Sequence, residues 1–320
     1  MKVTALCLSV FIFAAISLLF GTTHIPISDA YAGVMGQGSP LSVMIMQELR
    51  LPRTLLALVI GAGLGASGAA LQGYTRNPLA APGILGFSAC AAFGAVTALY
   101  FGYAAFVPFA ALVSTILGAV FILILAGPRK GAATLILAGV GVGALATALT
   151  GLLMNFAPNP WALSEIVYWL MGSLKNAEMS GFLMCAPLTV LGLALLLLTG
   201  PDLKTLSLGE ETAKTLGVSL PKVRGLMIAG VALCVGSGVA VAGAIGFIGL
   251  FIPHIMRLIF GSNPARLIPL SALGGAGFLV FADTLTRAVS GPGTPLYLGV
   301  LTSLIGVPFF LYLAVKESRI

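Results

Sequence analysis

The chain has 320 residues, of which 59% are hydrophobic and 8% charged, and its net charge is +7. A soluble domain carries about 25% charged residues, and folding alone cannot hide this much apolar surface from water. A soluble enzyme or a nucleic-acid-binding domain is therefore excluded, and lipid is the solvent that fits.

A spanning helix takes about 20 apolar residues, which leaves room for roughly ten spans in one transmembrane domain over residues 1–320. The 41 glycines suit helices that approach closely in a membrane. In chain order, charge-free runs mark the spans. Residues 3–28 hold the first. Lys2 and the apolar run to Phe20 also resemble a signal peptide, but the run is long for one and is expected to stay as the first helix. A polar connection leads to Pro40, and residues 54–75 make the second span. Residues 77–128 are too long for one helix and break near Gly102 and Tyr103. Residues 131–164 hold the fifth span and the turn signal Pro158-Asn159-Pro160. A short aromatic helix over 161–174 follows, then a sixth span over 179–201. Residues 225–256 are long enough for one span and part of another, turning where Gly243, Gly246, Gly249 and Pro253 cluster. Residues 267–282 and 295–315 complete the ten. The predicted fold class is an all-α polytopic membrane protein, because the period-2 alternation of barrel strands is absent.

Lys and Arg set the orientation. With both termini inside, the inner side carries twelve basic residues, among them Lys2, Arg76, Arg129, Lys130, Arg257 and Arg319, and the outer side carries Arg50, Arg53, Lys175 and Arg287. The positive charge is thus a topology signal, and no nucleic acid is needed to explain it. Gly63-Leu64-Gly65-Ala66-Ser67-Gly68 matches a dinucleotide-binding turn literally, but it lies inside a span with no acid about 20 residues on, so close helix packing is the expected role. No P-loop sequence occurs. Cys7, Cys90, Cys185 and Cys234 sit singly in apolar runs, with no disulfide, metal or redox spacing. His24 and His254 stand alone, and Asp283 lies near a span end. Without ionisable groups at mid-depth, an ion-gradient-driven carrier or a membrane-embedded enzyme is disfavoured. The driving energy then has to come from a partner.

Residues 202–224 form the most polar later stretch. Ser207 and Glu210 have the spacing of a capping box, Glu210 and Glu211 precede Lys214 as the helix dipole prefers, and Gly217 is placed to end the helix. Ala213 and Leu216 share a face. So short a helix is unstable alone and has to pack on its own chain or in a partner's groove.

Several motifs together resemble the permease subunits of type II ABC importers, the family that moves ferric siderophores, haem and vitamin B12. They are Leu49-Arg50-Leu51-Pro52-Arg53, Ser67-Gly68-Ala69-Ala70-Leu71-Gln72, and the run from Arg76-Asn77-Pro78-Leu79 to Gly86. Trp169-Leu170-Met171-Gly172, Gly209-Glu210 through Ala213 to Leu216-Gly217, and Gly243 through Pro253-His254 to Arg257 continue the series. Ala282-Asp283-Thr284-Leu285-Thr286-Arg287 and Gly306-Val307-Pro308 close it. One departure is Pro295-Leu296-Tyr297-Leu298-Gly299, where an acid and a second proline of the family pattern are missing.

The resemblance implies a subunit of the bacterial inner membrane that is not itself an enzyme and binds no cofactor or metal. ATP and Mg would be handled by partner ABC ATPase subunits, a second permease copy, like or unlike, would complete the path, and a periplasmic or lipid-anchored substrate-binding protein would deliver the cargo. It assigns Ser207, Gly209, Glu210, Ala213, Leu216 and Gly217 to ATPase coupling, and Arg50, Arg53 and Arg287 to docking of the binding protein. Asn77, Pro78 and Leu79 would form the cytoplasmic gate. Gly139, Gly143, Met154 and Asn155 would line a pathway made by the fifth and tenth spans.

Overall fold

The structure, a computed structural model, describes residues 1–21, 23, 25–127, 131–291 and 295–317; His24, Arg129, Lys130 and Arg319 lie outside them. α1 (Lys2–Leu19) leads through α2 (Ile27–Val34) to α3 (Pro40–Met44), which runs on through a π turn, Ile45–Arg50, into α4 (Leu51–Thr75). Then come α5 (Phe87–Tyr100), α6 (Val107–Ala126), α7 (Ala132–Asn155), α8 (Pro160–Leu170), α9 (Met179–Leu198), α10 (Gly200–Leu206) and α11 (Glu210–Thr215). α12 (Leu220–Ala242), α13 (Ile248–Phe260), α14 (Pro264–Val289) and α15 (Leu298–Glu317) complete the order.

Among the described residues, seven helical segments, those containing α1, α4, α6, α7, α9, α12 and α14, are long and apolar enough to cross a membrane. The shorter apolar helices are α5, α13 and the first part of α15, so the ten apolar helices fall where the charge-free runs put them. The sequence reading missed α2 and the backward extension of the second span to Pro40. Pro52 explains the π turn. It has no N–H to donate to the preceding turn, and the ladder widens so that the Leu51 N–H bonds to the Met46 carbonyl, five residues back. At the start of the aromatic segment, the Asn159 side chain accepts from the Ala162 N–H at 2.9 Å and Pro160 opens α8, which turns the predicted break into a capped start.

α4 is the central post, packed by α14, α9, α12 and α13. Its small residues make that possible. A Cβ on Gly65 would collide with the Ser271 carbonyl of α14, and one on Gly68 with the Gly249 carbonyl of α13; on Gly63 it would press on Thr189 and Cys234. The literal dinucleotide-binding match is thus a seam of backbone contacts, as expected of membrane helices. A buried hydrogen bond of 2.9 Å between Thr189 of α9 and Ser237 of α12 joins the next pair.

α12 and α13 are linked by non-helical backbone from Gly243 to Phe247, with Phe247 in the left-handed region at φ 67°. With only 13 residues in α13, about 20 Å at helical rise, this link lies below the outer surface. Irregular backbone is tolerated at such depth where protein covers it or a cavity opens on it.

Candidate functional site

On the inner face, α11 is the predicted coupling helix, but it starts differently from expectation. Ser207 does not cap it. The Ser207 hydroxyl donates instead to the Lys204 carbonyl at 2.6 Å and closes α10, while Gly209, at φ 112°, is the N-cap of α11. The capping box fails because the preceding helix claims the serine first. The predicted end is as expected. Gly217 is left-handed at φ 87°, its N–H bonds to the Lys214 carbonyl, and the Val218 N–H to the Ala213 carbonyl, a Schellman closure. Ala213 is fully buried against its own chain, which corrects its assignment as a contact residue. Leu216 is 62% exposed, and Leu208, which the sequence reading left out, is 65% exposed. Glu211 faces water and hydrogen-bonds Lys214 at 2.7 Å, holding that ammonium above its usual range.

The Arg76 to Gly86 connection lies beside α11. Arg76 ends α4 in the left-handed conformation, φ 52°. The Leu79 N–H bonds to the Asn77 side chain at 2.9 Å and the Ala80 N–H to the Asn77 carbonyl at 3.2 Å. Asn77 is exposed, and Pro78 and Leu79 are half-buried. All three therefore sit together in one tight turn at the inner end of α4.

At the outer end two of the three arginines, Arg53 and Arg287, meet at a single acid. Asp283 of α14 is 1% exposed. The Arg53 guanidinium grips its carboxylate through two nitrogens at 2.9–3.0 Å, and the Arg287 Nε lies 3.3 Å from it. Arg287 also donates to the Ser17 and Phe20 carbonyls at 3.0 and 2.7 Å and to the Ser17 hydroxyl at 2.7 Å. Arg50 donates to the carbonyls of Leu18, Leu19 and Thr23. The orphan carbonyls at the C-terminus of α1 are thus answered by arginines from the π turn and from α14, which makes α1 part of the folded body. Arg50 is 5% exposed, so from this position it cannot meet a partner's carboxylate; its docking assignment is corrected. The Arg53 and Arg287 side chains keep 18% and 12% of their surface.

The pathway residues divide. A Cβ on Gly139 would strike Leu85, and one on Gly143 would come within 2.8 Å of the Gly86 Cα. Both glycines face inward, to let the Leu85–Gly86 backbone against α7, and neither lines a surface. Met154 is half-buried and Asn155 exposed at the outer end of α7. None of the four lines the apolar cavity beside the irregular link. That space, about 630 Å³, opens on α15 and is lined by Val300, Ser303, Leu304 and Val307 together with Ala244 and Gly246 of the irregular link. Three glycines shape its outer rim. Cβ atoms on Gly172, Gly243 and Gly299 would collide with the carbonyls of Ala244, Trp169 and Met171 respectively, and the Ser173 N–H bonds to the Ala242 carbonyl at 2.8 Å. Tyr168 of α8 stacks on Tyr297 with ring centres 5.9 Å apart, at the position where the second proline of the family pattern is missing. The cavity is apolar, and among the described residues no group of three or more His, Cys, Asp or Glu side chains is arranged to hold a metal.

The comparisons with known proteins agree with this architecture. The FecCD transport family matches residues 8–316. The cobalamin import system permease protein of Halobacterium salinarum is 39% identical over 289 residues, covering 89% of this chain and 77% of its own length. The hemin transport system permease protein of Yersinia pestis is 39% identical over 286 residues, covering 86% and 84%. A solved structure assigned to the metal-chelate type of ABC transporter, in an inward-facing conformation, superposes with a TM-score of 0.88 at 33% identity over 98% of each chain. With its ten apolar helices and its match over nearly the whole length, this chain belongs to the FecCD transport family and is a multi-pass permease subunit of an ABC importer, not itself catalytic.

Proposed function

We propose that this permease carries a metal chelate, of the ferric siderophore, haem or cobalamin class, from a binding protein outside to the cytoplasm, driven by ABC ATPase subunits that bind ATP and Mg. The observation that carries this reading is the inner-face knob: Leu208 and Leu216 flank α11 with most of their surface bare, while Ala213 pins the same helix to its own chain. Two exposed leucines on a helix anchored by its other face suit a hydrophobic groove on a partner.

The inner membrane of a bacterium is the proposed location, with both termini cytoplasmic, as the excess of Lys and Arg on the α11 side supports. At the outer end, the binding protein meets the rim that Arg53 and Arg287 keep partly exposed, and Arg50 supports that rim from below. Charge at such a rim steers encounter and fixes register more than it adds affinity. The α15 cavity, an open apolar half-site, is the proposed share of the pathway, closed by a second permease copy. Its lack of strong polar groups suits a bulky chelate that has to be released. Asn77, Pro78 and Leu79 form the gate on the inner side.

The test is reconstitution. Full chain, ATPase subunits and binding protein in proteoliposomes are given a ferric siderophore, hemin and cobalamin in turn. Uptake of one of these that needs ATP and the ATPase subunit supports the reading. Uphill uptake by the permease alone on an ion gradient would sink it.

A further inference from the structure

Glu210 is turned partly toward its own chain. Its side chain keeps 32% of its surface, and its Oε1 lies 3.9 Å from the Arg76 guanidinium. A Cβ on Gly131 would lie 3.7 and 3.8 Å from its two oxygens. Those neighbours belong to different parts of the machine. Arg76 is the left-handed residue that ends α4, directly before the Asn77 turn. Gly131 is the N-cap of α7, the fifth span, and offers no side chain of its own to the free N–H groups of that helix. A carboxylate there is favoured by the helix dipole, and the cation at the C-terminal end of α4 is favoured for the same reason. One acid from the coupling helix thus meets complementary charge at the ends of two spans.

We propose that Glu210 is a positioning residue that transmits motion: it ties α11 to the gate turn through Arg76 and to the fifth span through the N-terminus of α7. A displacement of α11 by a partner then reaches both together. This rests on the reading of α11 as the ATPase-contacting helix. A half-exposed pair at 3.9 Å contributes little to stability, so what it supplies is a link between moving parts, and losing it leaves the fold intact.

The experiment uses the full permease in complex with its ATPase subunits in proteoliposomes, with Leu79→Cys as a reporter in a Cys7→Ser background. The labelling rate with a water-soluble maleimide is measured without nucleotide and with ATP trapped by vanadate. In the parent, trapping changes the rate by about fivefold or more. Glu210→Gln keeps ATPase association and ATP hydrolysis but reduces the nucleotide effect to less than twofold. Glu210→Asp restores it, and so does the exchange Arg76→Glu with Glu210→Arg, at least in part. A full nucleotide response in Glu210→Gln would overturn the inference, and so would a parent that shows none. Loss of ATPase association in Glu210→Gln would also overturn it, by making Glu210 a contact residue while the docking role of α11 stands. Failure of the parent chain to bind the ATPase at all would instead remove the underlying reading.

Discussion

Asp283 is the residue on which most of the outer end converges. One carboxylate, 1% exposed, faces two arginines, and one of these holds α1 by its last carbonyls. Breaking a buried pair by removing one partner costs about 3–5 kcal/mol, because the other charge is left without compensation. Asp283→Asn is therefore expected to lower stability by that order, measured by denaturant or thermal unfolding of the detergent-solubilised chain. A melting temperature unchanged from the parent would show that the arginines find other partners. The sequence placed Asp283 near a span end and the arginines on the same side of the membrane. It could not show that they meet, since Arg53 and Asp283 are 230 positions apart and no local pattern encodes that distance. Arg50 shows the same limit: charge at a span boundary reads as exposed until the carbonyls of α1 come to enclose it.

At the scale of the element, α11 shows which signals are local and which are not. Gly217 was legible because a left-handed C-terminus depends on two or three neighbours. The Ser207 cap was misread because α10 intervenes, and the burial of Ala213 depends on a surface assembled from elsewhere. That division gives a paired test. Leu216→Asp, at an exposed position, is expected to abolish ATPase capture in a pull-down while leaving the melting temperature unchanged. Ala213→Asp buries an unpaired charge and is expected to lower the melting temperature as well. Equal effects of the two on stability would mean that α11 is not anchored by one face. The glycine seam of α4 supports a second pair. Gly65→Ala meets the Ser271 backbone with no flexible side chain to yield, and overpacking of this kind costs about 1–3 kcal/mol. Gly141 of α7 has open space around a new Cβ, so Gly141→Ala is expected to be neutral or to stabilise by up to about 1 kcal/mol. The small residues of α4 predict close packing, whereas Gly139 and Gly143 of α7 are expected from the resemblance to line the pathway. Only the structure separates the glycines of α7 that face inward, Gly139 and Gly143, from Gly141, which faces out.

For the whole molecule, the question is what the open side of the α15 cavity faces. Leu304 is 64% exposed and lines it, and Ala244 and Gly246 bring irregular backbone to its wall. Lipid would be a poor neighbour there, because exposed peptide groups need hydrogen-bonding partners that acyl chains lack. An aqueous path shared with a second copy satisfies them. A large side chain at this point would then narrow the path without touching the inner knob or the outer clamp. Leu304→Trp is expected to leave the ATPase pull-down and the melting temperature unchanged and to reduce ATP-dependent chelate uptake by about tenfold or more in proteoliposomes. If uptake persists at the parental rate, the cavity faces lipid and the path lies elsewhere, with the exposed face of α7 around Gly141 and Leu145 as the next surface to block. Loss of both uptake and ATPase association would instead mean that α15 communicates with α11, and would move the effect from the path to the motor.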